Sequence, residues 1–147
     1  MRKIITATAA LLFCIAALAD NAKPFVIPEI QEWKGSEGLF IPGQDMRIVC
    51  NDASLLKVAD ALAKDWETMF GTLPEIISGK AGKGDISLAL KKDKKLGKEG
   101  YGIQIGNGIR ISAPEVAGAY WATRTVLQIA EQSAEHGFPK GDIRDWP

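Results

Sequence analysis

Several stretches of the chain hold residue types that could do chemistry. Ser78-Gly79-Lys80-Ala81-Gly82-Lys83-Gly84 offers glycines and lysines of the kind that cradle a phosphate. A phosphate loop needs a glycine-rich turn ending in Gly-Lys and then Ser or Thr at a helix start. Here Gly82-Lys83 is followed by Gly84-Asp85 and a strand pattern, so the spacing fails. Lys91-Lys92-Asp93-Lys94-Lys95 is the densest basic cluster, and between two strand patterns, with an acid at its centre, it reads as a solvated loop rather than a polyanion site. Cys50 ends an apolar run and reads as a buried small hydrophobe. The lone His136 stands beside Gly137, where a helix C-terminus or water accounts for it better than proton transfer. Trp66, Met69 and Phe70 fall at helical spacing and read as core packing rather than a ligand platform. No catalytic, cofactor-binding or metal-ligating residue emerges, and no cofactor is implied.

The elements that would position any site begin after a leader. Arg2 and Lys3 precede the apolar run Ile4 to Leu18, closed by Ala17-Leu18-Ala19, which is the pattern of an export signal cleaved after Ala19. The run is shorter than the roughly 20 residues of a membrane-spanning helix and no later segment approaches it, so the expectation is export to the periplasm or medium with no membrane span. Leu11-Leu12-Phe13-Cys14 is a competing lipid-attachment reading, with Phe13 where such signals favour a small side chain. The mature chain from Asp20 has the size of one domain with one core. The 18 basic and 18 acidic residues balance, and loss of Arg2 and Lys3 tips the balance towards acid. Nothing attracts nucleic acid or an anionic membrane. With Cys14 removed, Cys50 has no partner for an internal disulfide.

Lys23 to Trp33, with prolines at 24 and 28, reads as an extended lead-in along a surface. Gly38 to Ile41 and Met46 to Cys50, separated by Pro42-Gly43-Gln44-Asp45, predict a hairpin. Leu55, Val58, Ala59, Leu62, Trp66, Met69 and Phe70 mark an amphipathic helix, with Asp52 or Ser54 as cap and Gly71 as terminator. Asp85 to Leu90 alternates as a half-buried strand. Tyr101 to Ile105 and Ile109 to Ile111 alternate about Gly106-Asn107-Gly108 and predict two antiparallel strands. A second helix is expected from Pro114 to Glu135. Its apolar residues spread around most of its circumference, so its own sheet can cover only one face and a neighbouring domain must cover another. The expected class is α+β, a largely antiparallel sheet with two helices packed on one face.

From Ile27 to Pro147 the chain resembles the N-terminal accessory domain of glycoside hydrolase family 20, the β-N-acetylhexosaminidases. The resemblance is carried by Ile27-Pro28, by Gly97-Lys98-Glu99-Gly100-Tyr101 before a strand, by Ala117 to Gln128, and by Ile143-Arg144-Asp145-Trp146-Pro147. With the signal over residues 1–19, the resemblance implies the accessory domain over 20–140 and 141–147 as a linker into a (β/α)8 catalytic barrel, the intramolecular partner that the domain abuts. It also implies that the whole enzyme removes terminal N-acetylglucosamine or N-acetylgalactosamine from glycans with retention. The substrate's own acetamido oxygen is then the nucleophile, and an adjacent Asp-Glu pair on the barrel assists. Glu99, the tempting acid of this chain, then reads as structural, and the chain alone as non-catalytic. Two alternatives stand beside this reading: an accessory domain of another secreted glycosidase family, and an independent carbohydrate-binding module using Trp33 or Trp146.

Overall fold

The strand segments alternate apolar and polar residues, and in the computed structural model, which describes residues 19–133 and 137–147, they become two faces of one sheet. The expected export signal up to Leu18, Cys14 within it, and His136 with the expected helix end at Glu135 lie outside the described residues. The elements run β1 (Glu32–Phe40), β2 (Arg47–Cys50), a short 3-10 turn (Ala53–Leu55), α1 (Leu56–Phe70), β3 (Glu75–Ile77) and β4 (Ile86–Leu90). They continue through β5 (Tyr101–Ile105), β6 (Ile109–Ala113), α2 (Val116–Ser133) and β7 (Phe138–Asp145).

The seven strands form one sheet in the order β1-β7-β5-β6-β4-β2-β3. The ladders from β1 through β7 and β5 to β6 are antiparallel, and those from β6 through β4 and β2 to β3 are parallel. Most paired positions are antiparallel and both helices lie over one face, as the α+β reading expects. That face buries Ile48, Ile86, Ile103, Ile109, Ile111 and Ile143, none more than 1 % exposed. On the other face Ser87, Arg110, Gln104, Asp142 and Lys34 stand in register across β4, β6, β5, β7 and β1. A sheet with one dry and one wet face explains the two-residue period of its strands.

Two expectations are corrected. Gly38–Ile41 and Met46–Cys50 do not form a hairpin, because β1 pairs with β7 while β2 lies between β3 and β4 in the opposite half of the sheet. The Pro42–Asp45 turn is real, with the Met46 N–H donating to Gly43 O at 3.2 Å, but it redirects the chain instead of returning it alongside. Nor is Gly141–Asp145 a linker. These residues complete β7, which pairs with β1 on one side and β5 on the other, with Ile143 buried between exposed or half-buried neighbours.

Local chemistry sets the first helix. The Asp52 carboxylate accepts from the Ser54 N–H at 2.9 Å and so caps the 3-10 turn that leads into α1, while Gly71 ends α1 at φ 74°, a left-handed position that glycine takes without strain. Trp66 is buried and stacks on Phe138 of β7 at 6.3 Å between ring centroids. The glycine-rich segment before β4 is tied by Asp85, which is 5 % exposed. Its carboxylate accepts from Arg47 Nε at 3.1 Å, Arg47 Nη2 at 2.8 Å and the Gly82 N–H at 2.7 Å. The glycines therefore allow a tight turn onto an aspartate, in place of the phosphate cradle their composition suggests.

Hydrogen bonding from Arg47 is the largest cause holding the Asp85 carboxyl below the usual carboxylate range, against the opposing effect of burial. Because the unfolded chain binds this proton more readily, the stabilisation is present above the unfolded pKa and lost as pH falls through the lower folded value. Asp85→Ala should cost about 1–3 kcal/mol at neutral pH. The gap between variant and parent in urea denaturation should narrow as the pH is taken below the ordinary aspartate value of about 3.9.

Candidate functional site

The apolar circumference of α2 is covered from three directions. Towards the sheet it buries Ala119, Ala122, Val126, Ile129 and Ala130, each at most 1 % exposed. Small residues let the helix lie close, and Gly118 is the tightest point, where a Cβ would stand 2.1 Å from Gly100 O. Towards α1, Arg124 Nη1 donates to Asp65 Oδ2 at 2.5 Å. Towards the lead-in, Gln128 takes the Ile27 N–H at 2.9 Å and donates to Ile27 O at 3.0 Å, while Gln132 donates to Phe25 O at 2.7 Å. Val26 and Ile30 of the lead-in enter the core.

The domain thus covers more of its second helix than the sequence suggests, and the apolar remainder narrows to Val116, Tyr120 and Trp121 at 37 %, 38 % and 48 % exposure. Tyr120 and Trp121 meet edge to face at 5.4 Å, and the Arg124 guanidinium lies 4.8 Å from the Tyr120 ring centroid. Tryptophan, tyrosine and arginine together are the side chains that most often anchor protein interfaces.

Beside this face opens a cleft of about 620 Å³. Ile27, Pro28 and Gln31 of the lead-in form one wall, and Trp121, Arg124 and Gln128 of α2 form another. Glu99, Tyr101, Asp145 and Trp146 close it. At its base the Tyr101 hydroxyl donates to Asp145 Oδ2 at 2.8 Å and, with its single proton so used, accepts from Thr125 Oγ1 at 2.6 Å. Asp145 Oδ1 takes the Gln31 N–H at 3.1 Å, so one carboxylate joins the lead-in, β5 and β7. Burial, ahead of the Asp145 charge, pushes the Tyr101 phenol far above its ordinary value and keeps it protonated.

The residues singled out in the sequence are dispersed. Cys50 is buried, and burial pushes its thiol up. Trp33 is half-buried with its indole N–H donating to Asn21 O at 2.9 Å and does not line this cleft, whereas Trp146, also half-buried, does. In the basic loop Asp93 is taken by Arg144 at 2.6 Å, and Lys95 pairs with Glu32 at 2.5 Å and lies 4.6 Å above the Trp146 ring. Glu99 is exposed at the cleft without an ion pair among the described residues. Among the described residues no group of three or more His, Cys, Asp or Glu is arranged to hold a metal, and no helix is long and apolar enough to cross a membrane. The arrangement suits recognition by aromatic and hydrogen-bonding contact. Thr125, Gln128 and Asp145 entered the sequence reading only as parts of segments that carry the resemblance, and Gln31 only as part of the lead-in; their roles escaped it because each works through partners more than 20 positions away.

Tyr101→Phe removes a buried hydroxyl that two oxygens use, and should cost about 1 kcal/mol. Thermal unfolding followed by circular dichroism should record a lower midpoint with an unchanged folded spectrum.

The family model for glycosyl hydrolase family 20, domain 2, matches residues 23–146. Among solved structures, the N-acetyl-β-hexosaminidase of Streptomyces plicatus is similar at 25 % identity with a TM-score of 0.72, over 83 % of this chain and 26 % of that one. The family 20 β-N-acetylhexosaminidase of Streptomyces coelicolor A3(2) matches at 25 % identity and TM-score 0.70, with the same coverage. An exo-β-N-acetylglucosaminidase of Vibrio harveyi shares the fold at 19 % identity and TM-score 0.67, over 90 % of this chain and 20 % of that one. The chain spans about a quarter of the length of the two Streptomyces enzymes. No curated protein sequence matches it.

Proposed function

The chain belongs to glycosyl hydrolase family 20 through its domain 2, and from that premise we propose that it is the non-catalytic accessory domain of an exported β-N-acetylhexosaminidase, folded against a (β/α)8 catalytic barrel. The enzyme removes terminal N-acetylglucosamine or N-acetylgalactosamine from glycans by substrate-assisted retaining hydrolysis. The carboxylates for that chemistry reside on the barrel, and this domain supplies a rigid flank.

The observation that carries the reading is the exposed Tyr120-Trp121 pair on α2, beside Arg124, within a segment that the family model matches. A lone soluble domain gains nothing from holding two large aromatics in water on its most apolar helix, and an interface does. Export rests on the charged and apolar pattern ahead of Asp20.

A second reading, a glycan-binding module, is favoured by Trp121 and Trp146 lining one cleft with carboxylate and amide groups. Titration with chitooligosaccharides distinguishes the two. An accessory domain gives a flat tryptophan fluorescence signal, and a binding module a saturable one that Trp121→Ala abolishes.

The longer polypeptide of the gene should turn over a chromogenic N-acetylglucosaminide, and the isolated 147-residue chain should not. The secreted product should begin at Asp20 by N-terminal sequencing. Turnover by the isolated chain, or a gene encoding no barrel with an adjacent Asp-Glu pair, refutes the reading. A barrel lacking that pair moves the domain to another glycosidase family.

A further inference from the structure

Arg124 joins the two helices and lines the cleft, yet one nitrogen of its guanidinium has nothing to bond. Nη1 donates to Asp65 Oδ2 of α1 at 2.5 Å, and Nε donates to the Thr123 hydroxyl at 3.2 Å. Nη2 is buried without a hydrogen-bond partner, the one side-chain nitrogen or oxygen so placed among the described residues. The guanidinium is a planar fork, so the bonds to Asp65 and Thr123 fix its orientation and leave Nη2 no freedom to seek an acceptor elsewhere.

A buried donor without an acceptor gives up its hydration and regains nothing, which is why such groups are rare in folded proteins. Oxygens lining the same cleft are turned to other donors. Gln128 Oε1 takes the Ile27 N–H, and Asp145 takes the Gln31 N–H and the Tyr101 hydroxyl. The charge of Arg124 is already met by Asp65, so what is missing is a neutral acceptor rather than another acid. The Tyr120 ring, whose centroid lies 4.8 Å from the guanidinium carbon, is itself 38 % exposed and forms part of the outer face.

Two observations point to the rest of a longer polypeptide as the source of that acceptor. Trp146 and Pro147 line the same cleft as Arg124, so residues that follow Pro147 set out from its rim. The Streptomyces plicatus enzyme, of which this chain covers 26 %, has most of its length outside the shared part. We propose that Arg124 Nη2 is the docking point for a carbonyl oxygen of the domain that packs on α1 and α2, with the Tyr120 ring turning aside to admit it. The inference rests on the accessory-domain reading and names the group that the partner brings.

The test compares Arg124→Lys with the parent in the longer polypeptide and in the 147-residue chain. Thermolysin cleavage within residues 20–147 reports the population of opened domain. The lysine keeps a cation for Asp65 and removes Nη2. Cleavage should quicken about fivefold in the longer protein, the loss of one hydrogen bond, and stay unchanged or slow in the 147-residue chain. Equal quickening in both chains means that an acceptor within the domain, such as a bound water, already serves Nη2, and overturns the inference. An effect in the longer protein that high salt abolishes makes the acceptor a carboxylate and overturns the carbonyl. Hydroxyl-radical footprinting separates these failures from failure of the premise. If Tyr120 and Trp121 are protected in the longer protein while Arg124→Lys is silent in both chains, the inference falls and the accessory-domain reading stands; if both side chains are oxidised as fast as in the 147-residue chain, both fall.

Discussion

Everything in this domain depends on how closely α2 approaches the sheet. A helix lying over four strands must bring its backbone near theirs, and the residues that permit it are small: Gly118, Ala119, Ala122 and Ala130. At Gly118 the separation from Gly100 O leaves no room for a methyl group. Where the helix is pressed down, its larger side chains are displaced to the flanks. Leu127 goes under the surface, and Tyr120 and Trp121 go outward. The exposed aromatic pair is thus a geometric counterpart of the alanine-rich underside, since a helix with two kinds of face must put the bulky one somewhere.

The cleft follows from the same approach. Because α2 sits low, the lead-in can cross its flank and be held by Gln128 and Gln132 through backbone groups, which is a contact indifferent to the identity of Phe25 or Ile27. Asp145 then closes the base by joining three segments far apart in the chain. Among the described residues each hydrogen bond that its carboxylate accepts comes from a neutral group.

Local signals made much of the architecture readable from the residues. The Asn107-Gly108 turn, the Asp52 cap, the Gly71 terminator and the spacing of Leu55 to Phe70 are each written within a dozen or so residues, and each appears in the fold. The failures were non-local. Nothing in Gly38 to Cys50 says that its two strands belong to opposite halves of the sheet, because the partner of β1 lies about a hundred residues further along the chain. The Gly141–Asp145 strand was hidden by its composition. With one buried isoleucine among charged residues, it draws its order from two neighbouring strands rather than from its own hydrophobicity. Likewise the sequence offered Trp146 as an isolated aromatic, and only the fold brings it to the cleft that Trp121 lines.

The position of β7 reaches beyond architecture into the order of events during synthesis. Among the described residues the first strand of the domain pairs with the last alone, and β5 lacks one neighbour until the same residues arrive. A nascent chain can close β4, β6 and β5 into a ladder early, yet β1 must wait, unpaired, for Phe138–Asp145 to leave the ribosome. Pairing at such sequence separation is slow and leaves a strand edge open meanwhile. Under the export proposed above that delay is useful, because a chain that cannot finish its sheet is one that can still be threaded.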